Sequence, residues 1–499
     1  MVGTRREFLV GLGGIAFAAR ATAYAPVNVR DFGIGGNGLT DETEGWKALA
    51  RQALQQPNVP IRGNRGDVYR IDGDTAIEMP DACQLILDGA RFLRTKPVPR
   101  GRYLLTFGTD ALVDHLDVEI GEGAGFSRLL RFYDRAHIEA IGLRAARRMK
   151  NKSSDLDAAV LFVGNQNKRT VADDQAGHFS LGRIESYNID SVVLFTQFAV
   201  AAGQPNPLRD ISIGTCRFRK AVLGLYLRNV RSGVVDDVRQ SELADGAQSG
   251  EVGGNAILCS GVQDLVFRQI EANDTPSHGM RLGGPTKDTF EQETANVDIQ
   301  SFKSRRSLRS GFKCKPGVDG SRARNVILKR AEIYDCHFGN APSTNEQGVL
   351  LECVDGFSSD YISIGVREAL DGTSSHDAVH LSCVTEARFG RLDSEKPVRH
   401  HIWINTTPQA NYARGQAKNI IFETVNGRGA GGANVGVDGA DQEIGNIKIR
   451  RGNFEGGKGV LDVRSGQLVA PIQIDNDAGS VQCAPGVDRR LVRVGVKSC

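Results

Sequence analysis

The middle of the chain repeats a short alternation of apolar and outward-pointing positions that begins after a small residue. We call this pattern the strand motif, and it occurs eight times, at 159–162, 191–194, 224–227, 256–259, 279–282, 311–314, 348–351 and 378–381. Alternation with a period of two is typical of β-strands, because successive side chains of a strand point to opposite faces. In each motif we expect the first and third residues after the small one to point inward, and the second and fourth to point outward.

The spacing of the strand motifs predicts a solenoid. Consecutive motifs begin about 23 to 37 residues apart, and such a period is typical of stacked units that bury their apolar faces against one another. Two more motifs follow at 401–404 and 434–437. A second strand often follows a motif after Asn or Asp, at 210–213, 264–267, 296–299, 325–328 and 360–364. We therefore predict an all-β chain wound into roughly ten parallel coils.

Composition agrees with this prediction and narrows the possible partners. The chain contains 59 Gly, as a turn-rich β protein would, and 40% of its residues are hydrophobic, which is enough for a continuous core. The formal net charge of +3 is close to balance and argues against a general affinity for nucleic acid. No motif for a nucleotide cofactor or for zinc stands out, so we expect no cofactor, with Ca²⁺ as the one ion left open.

Six of the nine cysteines fall into two groups by position. Cys259 and Cys314 occupy inward positions of strand motifs, and Cys353 and Cys383 each follow a motif strand, so we interpret these four as small core residues. Cys483 and Cys499 lie outside the repeat, and we expect a disulfide between them near the C-terminus.

The N-terminus has the features of a bacterial twin-arginine export signal. Paired arginines in Thr4-Arg5-Arg6-Glu7-Phe8-Leu9 precede a short apolar stretch at 10–19 and the small residues Ala21-Thr22-Ala23. The apolar stretch is too short to span a bilayer, so we expect no membrane anchor. The sequence therefore predicts a periplasmic or secreted protein.

The segment after this signal resembles a known entry motif. Val27-Asn28-Val29-Arg30-Asp31-Phe32-Gly33, followed by 36–43, is similar to the start of the pectate-lyase-like superfamily, which includes polygalacturonases, rhamnogalacturonases and polysaccharide lyases. The resemblance implies a right-handed parallel β-helix and leaves the reaction open. Downstream, Asp41 and Glu44 suit the start of a helix whose apolar face includes Trp46, and we expect this helix to cap the solenoid.

Together these features divide the chain into four segments. We predict a signal peptide at 1–23, an N-terminal cap with the first coils at 24–110, the parallel β-helix at 111–470 and a C-terminal tail at 471–499.

The best candidate for chemistry is a basic cluster on adjacent coils. Arg281 and Lys313 occupy the same outward position of neighbouring motifs, Lys315 lies two residues further, and His278 precedes the Arg281 motif. Neighbouring cations on one sheet face repel each other unless an anion lies between them. We therefore predict a polyanionic partner, which the resemblance implies is an acidic polysaccharide, with a solvated basic face as the alternative. We also expect Arg281 to lower the pKa of Lys313.

The superfamily resemblance implies roles for these residues. Its polysaccharide lyases neutralise a uronate carboxylate with cations or Ca²⁺, while a Lys or Arg removes the proton at C5. By that resemblance Lys313 is the candidate base, Arg281 and Lys315 neutralise the carboxylate, and His278 is the candidate proton donor. We therefore favour β-elimination.

Two other functions remain open. Ser277-His278-Gly279 and the segment 311–315 resemble motifs of polygalacturonases, but the expected acidic pair is replaced by Gly253-Gly254-Asn255. A hydrolase would need other carboxylates. The candidates are Asp236, Asp237, Asp245 and Glu251, of which the last two lie in a loop that also suits Ca²⁺. The second alternative is a non-catalytic periplasmic protein that binds or processes exopolysaccharide.

Overall fold

The computed structural model describes residues 25–97, 99, 102–122, 124, 128–146, 158–164, 177–189, 192–197, 199–201, 204–206, 208–242, 254–284, 292–315, 321–336, 347–368, 374–407, 415–476, 480–495 and 497–498. The predicted signal peptide, Cys499, Asp245 and Glu251 lie outside these residues.

The described chain is a right-handed parallel β-helix, as the entry motif implies. The strand motifs stack in parallel into one column of strands, which we call the motif sheet. Its strands are β5 (Ile77–Met79), β8 (Tyr103–Phe107), β10 (Arg128–Tyr133), β12 (Ala158–Val163), β14 (Val192–Gln197), β18 (Leu223–Arg228), β20 (Ile257–Ser260), β22 (Met280–Gly283), β24 (Phe312–Lys315), β26 (Val349–Glu352), β28 (Asp377–Ser382), β30 (His400–Asn405), the start of β32 (Val435–Glu455), β33 (Leu461–Leu468) and β35 (Val481–Cys483).

Longer strands return the chain to the next coil and stack into a second column, the return sheet. Its strands are β7 (Arg91–Arg94), β9 (Leu112–Ile120), β11 (His137–Ala145), β13 (Ser180–Tyr187), β17 (Ile211–Arg219), β19 (Gly233–Ser241), β21 (Gln263–Asn273), β23 (Ala295–Arg305), β25 (Ala323–Tyr334), β27 (Val354–Gly365), β29 (Thr385–Glu395), β31 (Ala417–Arg428), the end of β32, β34 (Ile472–Asn476) and β36 (Val492–Val494). The predicted tail thus contributes β34, β35 and β36 to the two sheets.

The remaining elements lie mainly at the N-terminal end. They are β1 (Val27–Asn28), a 3₁₀ turn (Val29–Phe32), β2 (Asn37–Asp41), α1 (Thr43–Gln55), β3 (Pro60–Arg62), β4 (Val68–Arg70) and β6 (Gln84–Ile86), with the hairpin β15 (Ala199–Ala201) and β16 (Gln204–Asn206), a 3₁₀ turn (Arg489–Leu491) and β37 (Lys497–Ser498) further on. No helix in the described part of the chain is long and apolar enough to span a bilayer.

Helix α1 packs its apolar face against the first coils. Trp46 is fully buried, with its ring 5.1 Å from that of Tyr69 and 4.9 Å from that of Phe92. The helix start differs from the expected capping box. The residue before the helix is Glu42, which makes no side-chain cap, whereas Asp41 accepts a hydrogen bond from the Thr43 backbone N–H at 3.1 Å. Asp41 therefore stabilises the first turn from one position further out.

The motif register is as predicted except in one coil. Val160 pairs with Leu194, and Val192 pairs with Ala158. The motif assigned to 191–194 is therefore displaced by two residues, and Val192 packs in an outer apolar cluster with Ala158 and Phe195 instead of in the core. Val, Leu and Phe occur at both inward and outward positions here, so the sequence alone could not fix this phase.

The glycines that open four of the motifs, at 224, 279, 311 and 348, make room for a side chain of the return sheet. A Cβ on Gly311 would lie 2.5 Å from Cγ2 of Ile333, and one on Gly348 would lie 2.7 Å from Cδ1 of Ile364. At His401 the large side chain is on the motif sheet and the small residue, Gly427, is on the return sheet. A Cβ on Gly427 would lie 2.4 Å from the His401 imidazole. Complementary size across the corner therefore explains the repeat of glycine at these positions.

Asn and Asp at the start of the return strands turn the chain and bond to the next coil. Asp264, Asn296 and Asn325 adopt left-handed backbone conformations, with φ of 52°, 54° and 51°. This region favours Asn and Asp among residues other than Gly. Asn296 donates its amide to Asp264 at 2.9 Å, and Asn325 donates to Asn296 at 3.0 Å. The corner residues thus form a polar ladder along the stack.

The cysteines divide differently from the prediction. Cys259 and Cys314 are part of the apolar core, as predicted. Cys353 and Cys383 are free and buried but do not belong to that core. Cys483 is disulfide-bonded, and its expected partner Cys499 lies outside the described residues.

The packing at Gly311 gives a test of the size rule. Gly311→Ala should lower the free energy of unfolding by about 1–3 kcal/mol, because the added methyl overlaps the Ile333 side chain. Urea unfolding of this variant, of Ile333→Ala and of the double variant measures the effect. We expect the double variant to lose less stability than the sum of the two single changes. Additive losses would contradict the proposed contact.

Candidate functional site

The outward positions of the motif sheet form a continuous column of side chains. Arg281 pairs with Lys313 in the next coil, as predicted from the strand motif. Adjacent strands lie about 4.8 Å apart, so the two side chains leave neighbouring strands of one face. The column continues, coil by coil, through Leu350, His380 and Trp403.

Burial distinguishes this cluster from a solvated basic surface. Lys313 is only 7% exposed and His278 only 2% exposed. Ammonium groups are rarely buried to this extent without a partner that compensates the lost hydration. The alternative of an ordinary solvated basic face therefore does not describe Lys313.

The Lys313 ammonium is the most strongly affected amine of the cluster. Burial lowers its pKa to about 7, and the positive charge of Arg281 acts in the same direction. Lys315 and Arg309 lower this pKa further, whereas the Glu352 carboxylate opposes them. The sequence predicted a lowered pKa of Lys313 from the charge of Arg281 alone. Loss of hydration is the larger cause, because the Lys313 side chain is buried although it points outward from the sheet. A substantial fraction of Lys313 is thus a neutral amine at pH 7.

Glu352 is a functional candidate that the sequence reasoning missed. Its carboxylate is fully buried and lies 3.0 Å from Nζ of Lys315, whose side chain is 12% exposed. Glu352 is the residue directly after the 348–351 motif, so it occupies the outward position equivalent to Lys315. This equivalence could have identified Glu352 as a candidate partner of Lys315 from the sequence. Lys315 is consequently half of a buried ion pair and not an isolated cation.

His278 is held as a neutral imidazole beside the cations. Its Nδ1 accepts the backbone N–H of Ser310 at 3.2 Å, and its own backbone N–H donates to Oδ1 of Asn255 at 3.3 Å. Burial, followed by the charges of Lys313 and Arg281, holds the pKa of His278 well below its usual range. With Nδ1 accepting, the proton of the neutral ring is on Nε2, which leaves one N–H available as a donor.

A second buried group lies further along the column, around Asp377. Its carboxylate accepts two hydrogen bonds from Arg399, at 2.9 and 2.6 Å, and lies 3.6 Å from Nδ1 of His380. Burial lowers the pKa of His380 to about 4, so this ring is neutral at pH 7. Asp377 is occupied by Arg399 and serves as a fixed anion. Leu350 separates His380 from Lys313 in the column.

Two of the predicted alternative carboxylates, Asp236 and Asp237, lie outside this cluster. Asp236 and Asp237 lie on β19 of the return sheet, where Asp236 pairs with Arg268 at 2.9 Å and Asp237 with Arg217 at 2.7 Å. Asp245 and Glu251 lie outside the described residues. Within the described part of the chain, no group of three or more His, Cys, Asp or Glu side chains is arranged to hold a metal ion.

The return sheet carries a concavity of its own. Its volume is about 490 Å³, and its polar lining includes Arg391, Asp393, Asn426 and Asn453. Arg391 and Asp393 there are paired with each other at 2.9 Å, and Asn426 donates to Asp393 at 2.6 Å. This concavity is separate from the Lys313 cluster and contains no amine or imidazole with a lowered pKa among its described lining residues.

No known protein family and no characterised protein sequence matches the chain. Among solved structures, the chain is similar to the A-module of mannuronan C-5 epimerase AlgE4 of Azotobacter vinelandii, with a TM-score of 0.41 and 14% identity, covering 88% of this chain and 98% of that one. It is also similar to the A-module of AlgE6 of the same organism, with a TM-score of 0.37 and 13% identity, covering 89% of this chain and 99% of that one. The fold assignment rests on the strand pairing described above.

The lowered pKa of Lys313 predicts a specific pH dependence of stability. In the folded protein this pKa is about 7, whereas a lysine ordinarily has a pKa of 10.5. Between these values the unfolded chain holds the extra proton, so the contribution of Lys313 to stability rises with pH over this window. Lys313→Met removes the titration, and its stability advantage over the wild type should shrink as pH increases from 7 to about 10.

Urea unfolding at several pH values measures this difference. Lys329→Met, which removes an exposed lysine on the return sheet, controls for the loss of a lysine as such. A stability difference between wild type and Lys313→Met that does not change with pH would contradict a deprotonated, buried Lys313.

Proposed function

We propose that this chain is an exported enzyme that cleaves an acidic polysaccharide by β-elimination at the Lys313 cluster. The single observation that carries the proposal is a buried amine with a pKa of about 7 next to a guanidinium in the same column. An amine of this kind is suited to remove a proton near neutral pH. The twin-arginine segment supports export, and the parallel β-helix offers an extended face for a polymer.

Proton abstraction from a uronate requires both a base and a positive environment. In this mechanism the neutral Nζ of Lys313 takes the proton from C5, and the electron pair of the C5–H bond moves into the carboxylate. Arg281 and Arg309 stabilise the charge that develops there, because fixed cations in a water-poor site need no reorganisation during the step. The same cations lower the pKa of Lys313, so one arrangement prepares the base and stabilises the transition state.

Elimination is completed when the glycosidic oxygen leaves from C4. The C4–C5 double bond forms as the C4–O bond breaks, and the departing oxygen needs a proton. His278 is placed to donate a hydrogen bond from Nε2–H to the departing oxygen, since its Nδ1 is occupied by the Ser310 N–H. The proton that this oxygen takes up comes from water or from the Lys313 ammonium formed in the first step, so His278 stays neutral and Lys313 returns to the free amine. Glu352 holds Lys315 at the same site, so that only part of the positive charge of the cluster is available to the substrate.

Hydrolysis is less well supported than elimination. An inverting hydrolase needs two carboxyl groups about 6.5–9.5 Å apart, one to protonate the leaving oxygen and one to activate water. The described carboxylates near Lys313 are Glu352, which pairs with Lys315, and Asp377, which pairs with Arg399. Neither is free to act as the acid of such a pair. A non-catalytic binder would have no need of an amine with a pKa near 7.

Removal of the proposed base should abolish elimination. We expect Lys313→Ala to reduce turnover by roughly 10²- to 10⁴-fold, because general base catalysis contributes about that much. The assay is the ultraviolet absorbance of the new double bond when wild type and variant are incubated with polygalacturonate, alginate and glucuronate-containing polymers. Lys329→Ala, on the return sheet, is the matched control and should retain full activity.

Three results are informative. A turnover of Lys313→Ala equal to that of the wild type would contradict the role of Lys313 as the base. New reducing ends without a double bond would replace elimination by hydrolysis. Polymer that is bound but unchanged in length and in sugar configuration would favour the non-catalytic alternative.

A further inference from the structure

Cys353 and Cys383 occupy the same corner of two adjacent coils. Each directly follows a motif strand, and the preceding residues Glu352 and Ser382 are register partners. Both cysteines have a left-handed backbone, with φ of 54° and 55°, so their Cα–Cβ bonds point in similar directions. The Cys353 backbone N–H donates to the carbonyl of Ser382 at 2.8 Å, which fixes the vertical spacing of the two corners.

This spacing is compatible with a disulfide. Strands of adjacent coils lie about 4.8 Å apart, and disulfides join Cα atoms that are about 4.4–6.8 Å apart. The two thiols are close enough to interact, because Cys383 raises the pKa of Cys353 and Cys353 lowers that of Cys383. The Cys383 thiol also donates to the carbonyl of Thr406 at 3.2 Å. The other described free cysteines belong to the apolar core, whereas these two do not.

The surroundings of the pair favour a reactive sulfur. The hydrogen bond from Cys353 lowers the pKa of the Cys383 thiol, and the Gly415 backbone N–H and the charge of Arg322 act in the same direction. Arg322 is held beside the pair because it donates to the Cys383 carbonyl at 2.8 Å. A thiol beside a guanidinium reacts more readily than a thiol in an apolar core. Cys353 is 7% exposed, which gives a small oxidant a route to the pair.

We propose that Cys353 and Cys383 are a redox modification site at which a hydroperoxide converts the two thiols into a disulfide between adjacent coils. One thiolate attacks the peroxide, the O–O bond breaks, and a sulfenic acid and one water form. The second thiol then attacks the sulfenic sulfur, which forms the S–S bond and releases a second water. The two thiols are thereby oxidised, and one hydrogen peroxide is reduced to two waters.

The disulfide would link the coil that carries Glu352 to the coil that carries Ser382. Glu352 precedes Cys353 directly and pairs with Lys315, so the link would lie at the edge of the Lys313 cluster. Cross-links stabilise a fold mainly by restricting the unfolded chain. Oxidation should therefore raise the Tm, and this inference does not depend on the proposed enzymatic activity.

Peptide mapping of the full-length folded protein tests the proposal. After treatment with dilute hydrogen peroxide and alkylation under denaturing conditions, we expect a cross-linked peptide that contains Cys353 and Cys383 and is two hydrogens lighter than the reduced pair. The core cysteines Cys259 and Cys314 should remain alkylated. Cys353→Ser and Cys383→Ser should each eliminate the cross-link.

Thermal unfolding gives a second readout. Peroxide should raise the Tm of wild type in which Cys353 and Cys383 are thiols and the disulfide at Cys483 is intact. The shift should be absent from the double variant Cys353→Ser/Cys383→Ser with the same intact disulfide. Wild type in which both thiols remain alkylatable after peroxide treatment, or in which oxidation produces only sulfinic acid at one of them, would overturn the proposal.

Discussion

In-register parallel stacking is the constraint on which the rest of the structure depends. Each coil places its side chains directly over those of the coil before, so a residue type at one position must be compatible with the same position one strand spacing away. The Asp264, Asn296 and Asn325 ladder satisfies this condition with hydrogen bonds. The glycines that open four of the strand motifs satisfy it by leaving room for the return sheet. At Arg281 and Lys313, in contrast, stacking places two cations on neighbouring strands, which is electrostatically unfavourable.

The chain reduces this cost in two ways. Lys313 gives up its proton near neutral pH, because burial and the Arg281 charge both disfavour the ammonium. Lys315 pairs with the buried Glu352 carboxylate at 3.0 Å. Loss of the proton and pairing with a carboxylate are the two ways in which buried amines are accommodated. Here they act on neighbouring lysines of one strand, and the result is a neutral base beside fixed positive charge. A site of this composition is suited to the chemistry of a uronate.

Much of the fold could be predicted from the sequence because stacking makes the pattern redundant. A motif repeated over many coils indicates the parallel β-helix and the pairing of Arg281 with Lys313. Local details were harder. Val192 and Phe195 are apolar although they lie on an outward face. The alternation of apolar residues therefore did not reveal the two-residue shift of the motif at 191–194. The groups that surround Lys313 include Arg281 and Glu352, which belong to other coils. Glu352 was missed because it lies one residue beyond the 348–351 motif, at the position equivalent to Lys315. The return-sheet positions of Asp236 and Asp237 became evident only from the strand register.

The most direct test of the account is a crystal structure of the Lys313→Ala variant with a bound oligouronate. The account predicts that one uronate carboxylate lies against Arg281, with C5 of that sugar directed at the space vacated by the Lys313 amine and its glycosidic oxygen near His278. An oligosaccharide seated on the return sheet, or one whose carboxylates avoid Arg281, would contradict the assignment of this column as the site of chemistry.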